Sequence, residues 1–120
     1  MVSDPNADAR LSRFADMFSA MGTEPRLRIM RLLLSAHPHG MVVSEIGGAL
    51  DISASTLSHH LEKLRNEELV TVRREGTYLR YGANADALRA LLAFLYAECC
   101  TRSKAVHPSN IVLSAKELRS

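Results

Sequence analysis

Two sets of side chains in this sequence are typed and spaced for chemistry, and they suit different partners. The first is polar and basic: Ser53, Ser55, Thr56, Ser58, His59, His60 and Lys63 in one short segment, then Arg73, Arg74 and Arg80. Hydroxyls, imidazoles and an amine gathered on one surface suit the base edges of DNA, and clustered guanidiniums suit its phosphates. The second set is the adjacent pair Cys99-Cys100, preceded by Glu98. Neighbouring cysteines close a disulfide with each other only by severe distortion of the peptide between them. Thiolates select soft centres, and trivalent arsenic and antimony are soft and thiophilic. Two other roles stay open for the pair: reactive-thiol or persulfide chemistry, with any disulfide formed between chains, or packing as small apolar residues.

For the first set to act together it must share a face. With Leu57 at the origin and about 100° per residue, Leu61 and Leu64 fall within about 40° of it, a stripe that turns inward. Ser55, His59 and Asn66 then point the opposite way, with Thr56 and Lys63 beside them. Small residues on that outer face let a helix backbone come close to a major groove. The segment from 69 to 82 holds three arginines against the single acid Glu75, a local excess that equals the +2 of the whole chain. Basic hairpin tips suit phosphate contacts or minor-groove insertion. Taken alone, each of these residues is equally an ordinary solvated surface group, and arginines on an edge strand also discourage aggregation.

The elements that must hold these faces follow from periodicity. Residues 1–8 are polar, contain Pro5 and read as a flexible lead-in. Leu11, Phe14, Ala15 and Phe18 recur at helical spacing between Ala9 and Met21, and Gly22 ends that helix. Thr23 reads as an N-cap with Pro25 in the first turn of a second helix. Its run Leu27, Ile29, Met30, Leu32, Leu33, Leu34 is apolar on most faces and predicts the buried centre of the domain. His37-Pro38-His39-Gly40 breaks it. A helix over Val43–Leu50, a tight Asp51-Ile52-Ser53 turn and a longer helix from Ala54 to about Glu67 have the spacing of a helix-turn-helix. Leu69, Val70 and Val72, a turn at Arg73-Arg74-Glu75-Gly76-Thr77, then Tyr78, Leu79 and Tyr81 read as a β-hairpin. Asn84 starts a last helix that reaches Cys100, with the stripe Leu88, Leu91, Leu92, Leu95, which on a single exposed helix calls for a partner. Cys99 continues that stripe, and Cys100 points about 100° away from it. Residues 101–120 form a polar tail around Pro108.

Composition narrows the class. Leucine and alanine dominate, there is no tryptophan and aromatics reach 5%, so an aliphatic, mainly helical core is expected. At 120 residues the chain makes one domain, 9–100, without room for a deep enclosed active site. No run approaches the ~20 apolar residues that cross a bilayer, and no signal peptide is legible, so a cytoplasmic protein without a membrane partner is expected. No Gly-rich phosphate loop and no histidine flanked by carboxylates suggests an enzyme.

Leu50-Asp51-Ile52-Ser53-Ala54-Ser55-Thr56-Leu57-Ser58-His59-His60-Leu61-Glu62-Lys63-Leu64-Arg65-Asn66-Glu67-Glu68-Leu69-Val70 resembles the recognition segment of the ArsR/SmtB family of bacterial winged-helix repressors. Thr23-Glu24-Pro25-Arg26-Leu27-Arg28-Ile29-Met30-Arg31-Leu32-Leu33 upstream, and Arg73-Arg74-Glu75-Gly76-Thr77-Tyr78-Leu79-Arg80-Tyr81 downstream, complete the match in order. The resemblance implies a mainly α winged helix-turn-helix with a β-hairpin wing, and a homodimer joined by its first and last helices. It also implies a double-stranded inverted-repeat operator, released when an inducer binds. Two recognition helices would then stand roughly 34–36 Å apart, one turn of DNA.

The family's inducer sites are only partly represented. The thiol motif that some arsenic-responsive relatives carry on the first helix of the helix-turn-helix is missing from Val43–Leu50. The spaced histidines of zinc-responsive relatives are missing between Asp86 and Cys100. Glu98-Cys99-Cys100 resembles a subgroup of arsenic-responsive members with thiols on the last helix, but the third cysteine common there is absent from Thr101–Val106. Two thiolates suffice for a methyl or aryl arsenical. Arsenite would keep a hydroxyl or take a sulfur from elsewhere. Structural zinc wants four ligands, and only His107 lies near. No obligatory cofactor is expected. Another class of reading is a protein-interaction or soft-metal-carrying module of the same shape, which would have no reason to keep a basic wing.

Overall fold

The computed structural model describes residues 5–100, with the side chains of Pro5, Glu98, Cys99 and Cys100 outside the described residues. The expected tail, 101–120, also lies outside them. Helix α1 spans Pro5–Met21 and α2 spans Glu24–Ser35. The first helix thus begins at Pro5 rather than after the expected lead-in. Proline is tolerated there because the first-turn N–H groups have no intrahelical acceptor. Thr23 precedes α2 with extended backbone, but its hydroxyl makes no capping bond. Its carbonyl accepts from Leu27 N–H at 2.9 Å, and Glu24 pairs with Arg28 one turn on.

Strand β1, Met41–Val42, runs straight into α3, Val43–Leu50. The Glu45 carboxylate reaches back to the Val42 N–H at 3.0 Å, satisfying one orphan donor of that helix start. Asp51 closes α3 in the left-handed region, with φ of 55°, and Ile52 N–H bonds Gly47 carbonyl at 3.1 Å. This short-polar left-handed residue makes the tight corner of the helix-turn-helix. Helix α4, Ala54–Asn66, follows. It ends in a Schellman pattern: Glu68 N–H bonds Arg65 carbonyl at 2.9 Å and Leu69 N–H bonds Leu64 carbonyl at 3.0 Å. Glu68, not glycine, holds the left-handed position there, with φ of 58°.

Strands β2, Val70–Glu75, and β3, Tyr78–Ala83, form the hairpin, with β1 on the outer side of β3. The expected five-residue turn shrinks to Gly76-Thr77, because Arg73, Arg74 and Glu75 continue the ladder opposite Arg80, Leu79 and Tyr78. Gly76 has a φ of +60° at the first turn position, where a two-residue hairpin favours glycine. Gly40 has a φ of +76°, and a Cβ there would collide with the Tyr81 carbonyl. It lets the chain enter the sheet edge.

The chain divides at Leu88 into two compact units. In the first, the core is aliphatic as expected: Met17 of α1, Ile29, Met30 and Leu33 of α2, Ile46 of α3 and the α4 leucines are fully buried. Two expectations about faces need correction. Leu27 and Leu34 of α2 are 57% and 44% exposed, so that helix buries one side only. On α1, Phe14, Met17 and Ala20 turn inward while Leu11, Ala15 and Phe18 stay exposed. The outer three sit about 120° round the helix from the inner three, so α1 has two apolar faces. Helix α5, Ala85–Cys100, enters the second unit at Leu88 and there leaves Leu92, Leu95 and Tyr96 exposed.

Candidate nucleic-acid interface

Helix α4 is built from the inside out. Leu57, Leu61 and Leu64 are each 0% exposed, a spine that fixes the rotation of the helix about its axis. Burying each leucine contributes about 1.5–3 kcal/mol. At the N-terminus Ser53 caps the helix: its Oγ accepts from Thr56 N–H at 3.4 Å and donates to Thr56 Oγ1 at 3.0 Å. The cap leaves the N-terminal end of α4 open to solvent with both residues exposed.

With the spine inward, Ser55, Thr56, Ser58, His59 and Lys63 are all exposed, and so is Asn66. Glu62 shares that outward fan, a residue not counted among the candidates. Its helical angle, between those of Ser55 and Ser58 and on the Asn66 side, was the available signal. A carboxylate there can accept from a cytosine amine and repels phosphate. His60 is the exception. It is half-buried beside the leucine spine, and its Nδ1 is buried without a hydrogen-bond partner. Burial, then the charges of Arg26, His59 and Lys63, hold its imidazole below the usual 6.5. The structure therefore separates His60 from the exposed set.

The three hairpin arginines differ in the same way. Arg80 is the least exposed: its Nη1 donates to the Gly40 carbonyl at 3.2 Å and its Nε to Glu75. Arg73 donates to the same Glu75 oxygen at 3.1 Å. Arg74, on the other face of the strand, makes no ion pair among the described residues and projects its full charge into solvent. These bonds hold the Glu75 carboxyl below the usual carboxylate value, Arg73 first and Arg80 second. Counting Glu75 as one charge against three missed this contact, which depends on cross-strand register. Among the described residues no cluster of three or more His, Cys, Asp or Glu is arranged to hold a metal ion. No described helix is long and apolar enough to cross a membrane.

A leucine-anchored helix with an open polar face, preceded by a short helix and followed by a basic hairpin, is a winged helix-turn-helix. Residues 23–72 match the model of the bacterial regulatory protein arsR family. HlyU, a transcriptional activator of Vibrio cholerae, is 32% identical over 84 residues, 70% of this chain and 75% of its own. The chain belongs to the ArsR family. A putative arsenical resistance operon repressor of Halobacterium salinarum, ArsR, is 37% identical over 65 residues, 54% of this chain and 50% of that one. Among solved structures, the homodimeric winged helix-turn-helix DNA-binding domain of Mb0332 from Mycobacterium bovis matches with a TM-score of 0.65. It is 27% identical and covers 88% of this chain and 96% of that one. ArsR-family proteins are transcriptional regulators that bind DNA, and the matched residues include the helix-turn-helix of α3 and α4.

Proposed function

We propose that this ArsR-family chain is a transcriptional repressor. It binds an inverted-repeat, double-stranded operator as a homodimer and is released by a trivalent arsenic or antimony species held at Cys99 and Cys100. The observation that carries the DNA-binding reading is the exposed polar face of α4 over a spine of three fully buried leucines. Leu11 and Phe18 on α1, and Leu92 and Leu95 on α5, are apolar residues each helix leaves exposed in the single chain, which supports a second copy as their partner. The inducer reading rests on chemistry. Cys99 and Cys100 end α5, and successive positions on any helix are offset by about 100°. One arsenic bound by both would distort the last turn of that helix. By linkage, operator DNA must weaken the inducer's binding by the same factor.

The test is fluorescence anisotropy on a double-stranded site recovered from a random library by selection. Phenylarsine oxide, methylarsenite, arsenite, antimonite and zinc are titrated against the wild type, Cys99→Ser and Cys100→Ser. Release by trivalent arsenicals that both substitutions abolish supports the whole reading. Tight, salt-dependent binding with no release overturns the inducer and leaves redox or packing roles for the thiols. Failure to bind any duplex at low salt overturns DNA binding itself and favours an interaction module.

A further inference from the structure

We propose that Arg73 and Arg80 form a phosphate-binding site on the wing that the Glu75 carboxylate occupies in the DNA-free protein, and that a DNA phosphate displaces it on binding. This rests on the DNA-binding reading above. Register brings the three groups together: Arg73 pairs directly opposite Arg80 across the hairpin. Like charges in that relation repel. Glu75 lies two residues beyond Arg73, on the same face of β2, because strand side chains alternate. Its Oε2 alone accepts from both guanidiniums, Arg73 Nη2 at 3.1 Å and Arg80 Nε at 2.5 Å.

Two guanidinium N–H donors, one from each arginine, converging on one anionic oxygen is a donor arrangement that a phosphate oxygen also satisfies. Arg80 is held in place from behind by the Gly40 carbonyl, so half of the site is pre-organised before any ligand arrives. The occupant is easily exchanged. The Arg73 and Glu75 side chains are 63% and 45% exposed, in the range where an ion pair is weak and screened by salt, and Arg80, at 27%, gives the firmer contact to a carboxylate that is itself open to solvent. A DNA phosphate carries the same charge into the same place and brings release of condensed counterions with it. Glu75 then turns to solvent at little desolvation cost. The carboxylate acts as an internal competitor. It relieves the Arg73–Arg80 repulsion in the free protein and lowers affinity for every duplex, irrespective of sequence.

The experiment compares wild type with Glu75→Gln, which keeps the side-chain shape and one acceptor, on random-sequence duplex across a salt series. Glu75→Gln is expected to bind several-fold tighter at low salt, with the slope of log K against log salt steeper by about 1. Adding Arg73→Gln to that variant is expected to remove the gain. Asp8→Asn makes the same change in net charge on α1 and is expected to leave the slope unchanged. Thermal melts confirm that each variant is folded. Should Glu75→Gln unfold, Glu75→Asp, whose shorter arm cannot span both arginines, is expected to show a smaller gain of the same sign. Binding by a folded Glu75→Gln that is unchanged or weaker overturns the proposal, as does an equal gain from Asp8→Asn. A wild type that binds no duplex fails the DNA-binding reading instead.

Discussion

The Asn84 side chain donates its amide to the Glu68 carbonyl at 2.8 Å, joining the residue before α5 to the left-handed corner that ends α4. The same side chain accepts from Ala87 N–H at 3.2 Å, so one residue both caps the first turn of α5 and fixes the exit of α4. Asn84→Ala loses both bonds and is expected to cost about 1–2 kcal/mol. Asn84→Asp keeps the capping oxygen but not the amide donor and is expected to fall between the two. Urea unfolding of the three proteins checks the order.

Glu68 tests why a non-glycine residue holds that corner. Its carboxylate pairs with Arg13 of α1 at 2.8 Å, an exposed contact worth about 0–1 kcal/mol. Its left-handed backbone costs roughly 1 kcal/mol, which glycine would not bear. Arg13→Gln removes the pair alone, whereas Glu68→Gly removes the pair and the backbone cost together. Glu68→Gly is therefore expected to be more stable than Arg13→Gln by about 1 kcal/mol. Equal stability would mean that the corner carries no such cost.

The helix-turn-helix was legible from residue types because its signals are local. The Leu57, Leu61, Leu64 spacing, the Asp51-Ile52-Ser53 turn and the Asn84 start all act within a turn or two of chain. What escaped depends on distant partners. Arg80 bonds a carbonyl forty positions away in sequence, at Gly40. Strand β1 is two residues long, too short for any periodicity, and exists only because β3 offers it an edge. Polar Arg73-Arg74-Glu75 reads as a turn, yet both faces of the wing are solvated there, so alternation never had to show. The α1 stripe merged two faces because an apolar residue does not say whether its partner is its own core or another chain.

Arg74 is the hairpin arginine whose charge no described side chain pairs. Arg74→Gln is expected to leave thermal stability within about 0.5 kcal/mol of wild type, as exposed substitutions do. It should weaken binding to all duplexes alike and make the salt slope shallower by about 1. Sequence-dependent losses would place Arg74 on a base edge instead.

His60 should make stability depend on pH in a defined window. Its folded-state pKa lies below 6.5, so as pH falls the unfolded chain takes up the proton first. Stability is therefore full above that value, declines as pH drops below it, and levels off once the folded imidazole titrates too. The lowered Glu75 pKa gives a separate loss, which begins at the ordinary carboxylate value and continues as pH falls through the folded one. His60→Leu removes a buried Nδ1 that has no partner, and is expected to be at least as stable as wild type at neutral pH. The decline just below 6.5 should shrink in its urea midpoints. An unchanged pH profile would assign the decline to other groups.

The exposed apolar residues give the prediction on which assembly depends. Phe18 on α1 and Leu92 on α5 are 41% and 64% exposed, so a charge at either disturbs no core of the single chain. If these faces meet a second copy, Phe18→Glu and Leu92→Glu bury a carboxylate without a partner in the dimer and only there. Each variant should keep its helical circular dichroism yet sediment as a monomer at concentrations where the wild type is a dimer. Its affinity for a selected inverted repeat should fall toward that for a single half-site, because one recognition helix can no longer tether the other. A wild type that sediments as a monomer, or variants that remain dimeric, would remove α1 and α5 from the interface and leave their apolar faces to a different partner.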